Sequence, residues 1–423
     1  MNLFIRSARI LDPTSSYHLQ TRDIVIEKGV ITRIGSRLHN TYGYREITSP
    51  GLCVSPGWVD LFAFLGDPGY EHKEDLFTGI AAAASGGFTT VCCMPNTRPP
   101  LHSKTEVEYV INKCRNTVVE VKPIGAVSRN CEGTQITEIY DMYEAGAVAF
   151  SDGIQSCISA GLTLRALLYI KPFDGLFISH PDDQSIRGSG LVNEGATSTM
   201  MGIPGIPAIA EELMVLRDLF LAEYAGSRIH FAYVSSPGSL EHIRKAKAKG
   251  LRVSCAVAPY NLLLDESAAL EFDTNYKVLP PLKTQKDIKA LVKGIQDGVI
   301  DVLSSMHIPQ DTESKKVEFD LAEFGMTGLE TAYAVANTAC CGLISDERIV
   351  QMLAITPRTI LNLPVPTIKK GNHANLTVFD NSLKWVFEEK NIRSKSRNTP
   401  FLGREFTGKV LAVVNNNQLF QNP

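Results

Sequence analysis

The sequence lacks the features that point to a membrane protein, a disulfide framework or a nucleic-acid partner. No apolar run reaches the roughly 20 residues that a helix needs to cross a bilayer. Nine cysteines, an odd number without compact spacing, favour reduced thiols and a cytoplasmic location. The formal net charge of −3 gives no electrostatic reason to expect nucleic acid or an anionic membrane surface. We therefore expect neither as a partner.

The composition is that of an ordinary globular protein. Hydrophobic residues make up 44% of the chain and charged residues 21%. A length of 423 residues is enough for one barrel-sized domain and a smaller companion.

The two chain ends carry similar patterns of alternating apolar and polar residues. Residues 2–12 and 22–35 alternate in this way near the start, and 374–380, 383–388 and 408–416 do so near the end. The first residues read as a strand rather than a signal peptide. Neither set is large enough to stand alone, so we predict one small β-sandwich domain from residues 1–52 and 368–423, with residues 53–367 inserted as the main domain.

The middle of the chain alternates between strand-like and helix-like segments. Short apolar strands are predicted at 57–64, 88–94, 119–126, 146–152, 175–180, 228–235, 251–257 and 299–306. Helical patterns between them include 102–116, 159–171, 208–225 and 283–297. This count predicts an α/β fold, a parallel (β/α)₈ TIM barrel, with a doubly wound open sheet as the alternative. Residues 188–207 are rich in Gly and Pro and predict a long loop without regular structure at the top of the barrel.

In such a barrel the functional side chains lie at the carboxyl ends of the strands. The predicted strand ends carry Phe62, Phe64, Asn96, Asp152, His180, Tyr233, Met306 and His307. This set holds one carboxylate and two imidazoles among apolar side chains, whereas a catalytic zinc needs three protein ligands. The pattern predicts an apolar-walled pocket without a complete metal site.

Several motifs resemble those of dihydroorotases in the amidohydrolase superfamily. The run from Pro56 to Pro99, PGWVDLFAFLGDPG followed by AAAASGGFTTVCCMPNTRP, is similar to the family signature PGxxDxHxHLREPG and AAAAGGFTTVxxMPNT. Further matches are AFSDG, ISHPDD, GIPGIPAIAEELMVLRD, VAPYNLLL, KVLPPLKT, IDVLSSMHIPQ and EFGMTGLETA. These matches follow one another in order along the chain. The resemblance implies the barrel fold and the domain shared by both chain ends.

The resemblance also implies a zinc site, and most of its positions carry the wrong residues here. The family's metal ligands fall on Phe62, Phe64, Asp152, His180, Tyr233 and Met306. Only Asp152 and His180 retain ligand chemistry, and Met306 occupies the position of the family's general acid/base. We therefore expect no catalytic residue and no zinc cofactor, except for weak or non-native zinc binding. As structural alternatives, Asp152 would form a turn and His180 would be held by backbone hydrogen bonds.

The positions implied for substrate contacts have changed as well. The family's carboxylate-binding arginine falls on Gly66, and two further contacts fall on Leu279 and Gln310. Only Asn96 matches, so it is the predicted substrate-binding residue. The serine pairs Ser235-Ser236 and Ser304-Ser305 would be nucleophiles only with a histidine base beside them.

Three functions remain open from the sequence. The first is a catalytically inactive dihydroorotase homologue of pyrimidine biosynthesis, a homo-oligomer that partners aspartate transcarbamoylase. The second is a cyclic-amide hydrolase with an altered or metal-independent site, for which Asn96, Asp152, His180 and Tyr233 would orient the substrate. The third is a sensor that binds a small molecule in the barrel mouth.

Overall fold

The structure, a computed structural model, describes residues 1–157 and 159–423. Its strands are β1 (Asn2–Ile10), β2 (Thr21–Glu27), β3 (Val30–Gly35), β4 (Arg45–Ile47), β5 (Leu52–Pro56), β6 (Trp58–Ala63), β7 (Phe88–Cys93), β8 (Glu120–Gly125), β9 (Ala149–Phe150), β10 (Leu176–Ser179), β11 (Val192–Asn193), β12 (Gly205–Ile206), β13 (Arg228–Phe231), β14 (Val253–Val257), β15 (Val302–Leu303), β16 (Leu376–Val386), β17 (Glu405–Asn415) and β18 (Gln418–Gln421).

Its α-helices are α1 (Leu76–Ser85), α2 (Lys104–Lys113), α3 (Ile139–Glu144), α4 (Ala160–Ile170), α5 (Gln184–Arg187), α6 (Ala196–Met201), α7 (Ile209–Ala225), α8 (Pro237–Ala248), α9 (Tyr260–Leu263), α10 (Gln285–Gln296), α11 (Thr312–Lys315), α12 (Ala332–Ala339), α13 (Asp346–Val350) and α14 (Thr356–Ile360). Among the described residues no helix has the length and apolar character needed to span a membrane.

The middle of the chain forms the predicted barrel rather than an open doubly wound sheet. Its parallel strands follow the order β6-β7-β8-β9-β10-β13-β14-β15. All eight predicted strands are present, although β9 and β15 are only two residues long. The predicted helices correspond to α2, α4, α7 and α10. Buried Val, Ile, Leu and Ala side chains fill the interior, as expected for a barrel with a packed core.

The first and last strands of the barrel are joined by a small number of hydrogen bonds. The backbone N–H of Phe64 donates to the carbonyl of His307 (2.9 Å). The carboxylate of Asp60 on β6 accepts from the backbone N–H of Ser305 (2.6 Å) and from Ser304 Oγ (3.0 Å). We call these contacts the β6–β15 seam. Because the seam lies where the strand ends converge, its side chains also shape the candidate site.

Both chain ends meet in a second sheet, as predicted. Its strands follow the order β18-β17-β16-β5-β1-β2-β3, with β4 paired to β1. Most pairs are antiparallel, and β1 runs parallel to β4 and β5. Trp58 at the start of the barrel packs against Tyr333 of α12 (4.9 Å between ring centroids) and Phe379 of β16 (5.2 Å), which fixes the sheet against the barrel.

The prediction that residues 188–207 have no regular structure is wrong. The segment contains β11 and β12, which pair in parallel, and the helix α6 between them. Gly202, with φ of +66°, ends the helix in a left-handed conformation that glycine adopts without strain. Asn193 fixes the segment to the protein by donating to Glu266 (2.6 Å) and accepting from Lys283 Nζ (3.0 Å).

The nine cysteines are all free, as predicted. Both members of the pair Cys92-Cys93 are buried, and so is Cys340, whereas its neighbour Cys341 is exposed.

Candidate functional site

Two phenylalanines occupy the end of the first barrel strand. Phe62 and Phe64 are buried, with 1% and 7% of their surface exposed. The ring of Phe62 packs edge-on against Tyr233 (5.9 Å), and the ring of Phe64 contacts Tyr70 (6.0 Å). A phenyl ring has no lone pair to offer a metal ion. These positions therefore contribute apolar packing.

The hydroxyl of Tyr233 lies between three barrel strands. It donates to the carbonyl of Phe62 (2.6 Å), accepts from the backbone N–H of Met306 (3.1 Å) and lies 3.1 Å from Ser304 Oγ. Burial raises the pKa of Tyr233 well above its ordinary value, so the phenol stays protonated. Tyr233 and Met306 both have left-handed backbone conformations, with φ of +56° and +49°. The hydroxyl thus satisfies backbone groups at the site's centre and supports the β6–β15 seam.

Asp152 and Asn96 hold a tight turn after the fourth strand. The carboxylate of Asp152 accepts from the backbone N–H (2.8 Å) and the hydroxyl (2.6 Å) of Ser128. Asn96 donates to the carbonyl of Asp152 (2.9 Å) and accepts from the N–H of Ile154 (3.0 Å). A side chain at Gly153, where φ is +67°, would collide with Asn96. The amide nitrogen and the amide oxygen of Asn96 are therefore both hydrogen-bonded within the protein.

Asp152 gives the stability of the protein a specific pH dependence. Burial raises its pKa from 3.8 to about 6, although the bonds from Ser128 oppose the shift. Between pH 4 and 6 the folded protein thus holds a proton that the unfolded chain has lost, so this group's contribution to stability falls as pH rises through that window. In the unchanged chain the raised pKa lowers the free energy of unfolding by on the order of 3 kcal/mol at pH 7, and we expect Asp152→Asn to abolish this pH-dependent loss. The measurement is the free energy of unfolding of both chains at pH 4, 5, 6 and 7.

The exposed Asp141→Asn substitution on α3 is the matched control, because it removes a carboxylate from the surface. It should leave the difference between pH 4 and pH 6 unchanged. An identical pH profile for Asp152→Asn and the unchanged chain would contradict the prediction.

His180 is buried but has no hydrogen-bond partner on either ring nitrogen among the protein atoms of residues 1–157 and 159–423. The expected backbone hydrogen bonds are therefore not found. Burial lowers the pKa of His180 and keeps the ring neutral at pH 7. Within the same described residues, the Tyr260 hydroxyl is also buried without a hydrogen-bond partner. Both side chains line a cavity of about 220 Å³ at the barrel mouth, together with Leu279, Met306 and Ile308.

The positions that the resemblance assigns to substrate contacts have structural roles in this chain. Gly66 has φ of +68°, and a Cβ there would lie 2.3 Å from the carbonyl of Glu74, so the turn admits no side chain. Leu279 forms part of the cavity wall. Gln310 accepts from Lys73 Nζ (2.6 Å) and donates to the carbonyl of Phe324 (2.9 Å). No arginine or asparagine takes these positions.

His307 belongs to a buried structural network. Its Nδ1 accepts from the backbone N–H of Gly328 (3.2 Å), which assigns the ring proton to Nε2. Nε2 then donates to the carboxylate of Glu74 (3.3 Å), which also accepts from the N–H of Lys395. Both ring nitrogens of His307 are therefore engaged in structural hydrogen bonds.

The hydroxyls of the candidate serine nucleophiles are bound to carboxylates or to the backbone instead of a histidine ring. Ser235 Oγ donates to Glu211, and Ser236 Oγ donates to Glu212. Ser304 Oγ donates to Asp60 (3.0 Å), and Ser305 Oγ accepts from the backbone N–H of His307 (3.2 Å). The geometry therefore supports no serine triad.

The residues at the strand ends do not fit zinc. Within the described part of the chain, no group of three or more His, Cys, Asp or Glu side chains is placed to hold a metal ion. The oxygens of Asp152 already accept hydrogen bonds, and the Tyr233 hydroxyl is bound to backbone groups. Of the strand-end residues that the structure describes, only His180 has a ring nitrogen without a hydrogen-bond partner, whereas a catalytic zinc uses three protein ligands.

Comparison with known proteins establishes the family. Residues 51–239 match the family model described as dihydro-orotase-like. A protein of Pelotomaculum thermopropionicum named dihydroorotase is 41% identical over 416 residues, which cover 98% of this chain and 97% of that protein. The chain belongs to the dihydroorotase family. Another dihydroorotase, from Syntrophus aciditrophicus, is 40% identical over 98% of both chains.

Solved structures of other members of the wider fold support the same architecture. The L-hydantoinase of Arthrobacter aurescens superimposes with a TM-score of 0.84 at 23% identity, over 100% of this chain and 96% of that one. The dihydropyrimidinase of Brevibacillus agri gives a TM-score of 0.82 at 20% identity, over 99% and 95%. The resemblance to dihydroorotases seen in the sequence motifs is thus confirmed.

Sequence reasoning did not single out several residues that shape this site. Tyr260 lies within the motif VAPYNLLL, and Asp60 lies within PGWVD. The motifs that carry the resemblance therefore include both residues. Ser128 lies outside the matched motifs, and only its contact with Asp152 identifies it.

Proposed function

We propose that this member of the dihydroorotase family does not perform zinc-dependent hydrolysis and acts as a structural or regulatory partner in pyrimidine biosynthesis. The observation that carries the proposal is the bonding of the Tyr233 hydroxyl to Phe62 and Met306, which gives the centre of the site a structural function. A zinc-bound hydroxide requires protein ligands that hold the zinc ion. Position 233 supplies instead a protonated phenol that is hydrogen-bonded to backbone groups.

Aspartate transcarbamoylase is the proposed partner. The support is the preserved scaffold: the frame motifs and the full-length similarity to proteins named dihydroorotase remain, while the ligand positions have changed together. Such a pattern is expected when a fold is kept for assembly. The free thiols support a reducing compartment, and we place the complex in the cytoplasm.

The test combines a metal analysis, an activity assay and a binding measurement on one preparation. We expect no zinc after dialysis, no turnover of dihydroorotate or carbamoyl aspartate, and co-elution with aspartate transcarbamoylase of the same organism. An active family member, assayed in parallel, controls the substrate and the buffer. Stoichiometric zinc together with enzyme-like turnover would refute the proposal.

A second candidate is a metal-independent hydrolase of cyclic amides. It is favoured by the unpaired His180 imidazole and Tyr260 hydroxyl in one cavity, because a neutral imidazole offers both a proton donor and a proton acceptor. The same assay with a panel of cyclic ureides and lactams distinguishes it: turnover that His180→Ala abolishes, with zinc absent, would favour this candidate over the first.

A further inference from the structure

The cavity at the barrel mouth is lined by two buried polar side chains whose hydrogen-bonding atoms are unpaired within residues 1–157 and 159–423. His180 and Tyr260 have 4% and 3% of their surface exposed. Both line the cavity of about 220 Å³. An unpaired buried polar group costs free energy, and a ligand that bonds to it recovers that cost. The cavity therefore has the main feature of a small-molecule site.

The protein holds both side chains in place through other atoms. The carbonyl of His180 accepts from Ser156 Oγ (2.8 Å) and from the backbone N–H of Asp182 (3.1 Å). Tyr260 begins α9, its carbonyl accepts from the N–H of Leu264 (2.8 Å), and its ring belongs to the core inside the barrel. A ligand would leave these contacts intact, and a site that is already ordered binds with a smaller entropic cost.

Apolar side chains form much of the cavity wall. Leu279, Met306, Ile308 and Met326 all line it. Small-molecule pockets are typically apolar, with a few polar groups that fix the orientation of the ligand. A cavity of about 150 Å³ is known to bind benzene. The volume at this barrel mouth therefore admits one ring with small substituents.

The charged groups at the cavity do not favour an anion. Of the described residues that line it, only Arg187 is cationic at pH 7, and its Nε donates to the carboxylate of Asp182 (2.9 Å). Glu323, which also lines the cavity, adds a negative charge. Burial lowers the pKa of His180 and keeps its ring neutral. A carboxylate would therefore lose its hydration here without gaining an unpaired cation.

The two unpaired groups require both a donor and an acceptor from a ligand. A neutral imidazole has one N–H donor and one bare nitrogen that accepts, and a phenol hydroxyl can do either. Burial raises the pKa of Tyr260, so its hydroxyl stays protonated. A ligand with acceptors alone would leave the bare nitrogen of His180 unpaired, whereas a ligand with an N–H beside a C=O has both partners.

We propose that this cavity binds an uncharged single-ring compound that carries adjacent N–H and C=O groups and hydrogen-bonds to His180 and Tyr260. The inference rests on the proposed function, because it treats the barrel mouth as a ligand site that holds no zinc. It goes further by assigning the chemical class of the ligand. That class has no carboxylate, unlike dihydroorotate and carbamoyl aspartate.

The first experiment is a calorimetric titration of the full chain with uracil and with orotate, after zinc analysis of the same sample. The two probes share one ring with adjacent N–H and C=O groups, and orotate adds a carboxylate. We expect saturable one-site binding of uracil and binding of orotate that is at least about tenfold weaker.

The second experiment removes one hydroxyl. Tyr260→Phe should weaken uracil binding roughly tenfold, since one hydrogen bond is lost. Without uracil the same variant should be at least as stable as the unchanged chain, because the hydroxyl has no partner among the described residues. Tyr140→Phe on α3 is the matched control: Tyr140 is 47% exposed, and its loss of a hydroxyl should leave uracil binding unchanged.

Three results obtained with a folded, zinc-free chain would overturn the inference and leave the proposed function intact. They are no saturable binding of uracil, orotate binding as tight as that of uracil, and uracil binding that Tyr260→Phe does not weaken. Stoichiometric zinc with turnover of dihydroorotate would instead refute the proposed function, and this inference with it.

Discussion

A chain that carries Phe62→His, Phe64→His, Tyr233→His and Met306→Asp is expected to bind zinc stoichiometrically, whereas the unchanged chain is expected to lose all zinc on dialysis. The four substitutions place nitrogen and oxygen donors at the strand ends of the barrel that also carries His180, whose ring nitrogens have no hydrogen-bond partner among the described residues. The donor count then exceeds the three protein ligands that a catalytic zinc needs. Metal analysis by mass spectrometry after dialysis gives the stoichiometry.

The variant should lose the stability contributed by the Tyr233 hydrogen bond to Met306 and gain stability from bound zinc. Replacing Tyr233 leaves the backbone N–H of Met306 without its partner, which costs about 1–3 kcal/mol. Zinc at 100 times its dissociation constant restores about 2.7 kcal/mol. We therefore expect the thermal midpoint of the variant to lie below that of the unchanged chain without zinc and to rise on zinc addition.

The same variant with His180→Ala is the matched control, because it lacks one of the two side chains with ligand chemistry, Asp152 and His180, that the natural sequence carries at these positions. It should bind zinc more weakly and show a smaller thermal response. No turnover of dihydroorotate is expected even with zinc bound, since Gly66, Leu279 and Gln310 occupy the positions that the resemblance assigns to substrate contacts. A folded fourfold variant that stays free of zinc would contradict the prediction.

The fold was predictable because local patterns and global topology agree in this chain. The eight strands are short apolar runs, and the helices between them have clear ends, so periodicity alone located both. Periodicity did not predict the regular structure of residues 188–207. Their glycines suggested an open loop, but Gly202 ends α6, and Asn193 fixes the segment through bonds to Glu266 and Lys283, two residues far away in the sequence.

The candidate site was predictable in its composition but not in its bonding. The sequence shows that Phe62 and Tyr233 stand where metal ligands were expected, but it does not show that the Tyr233 hydroxyl bonds to the Phe62 carbonyl. It also does not show that the ring of His180 has no hydrogen-bond partner among residues 1–157 and 159–423, because the absence of a hydrogen bond depends on every neighbouring atom. Long-range contacts of this kind follow from tertiary packing and leave no local pattern.

Loss of the Asp60 carboxylate should destabilise the barrel. It is fully buried and accepts three hydrogen bonds, from the N–H of Phe62 (3.0 Å), the hydroxyl of Ser304 (3.0 Å) and the N–H of Ser305 (2.6 Å). Asparagine has the same shape but only one acceptor oxygen, so Asp60→Asn turns an amide N–H₂ toward a backbone N–H. We expect a loss of about 3 kcal/mol, since a buried donor is left unpaired and hydrogen bonds to a carboxylate are lost.

The measurement is the free energy of unfolding in urea, followed by circular dichroism and by intrinsic fluorescence. Trp58 on β6 is one of two tryptophans and reports on the barrel directly. Ser304→Ala should cost less, because the two backbone donors keep their acceptor. Asp141→Asn on the surface of α3 should cost nothing measurable. Equal stability of Asp60→Asn and Asp141→Asn would show that the β6–β15 seam does not depend on the Asp60 carboxylate and that main-chain pairing alone closes the barrel.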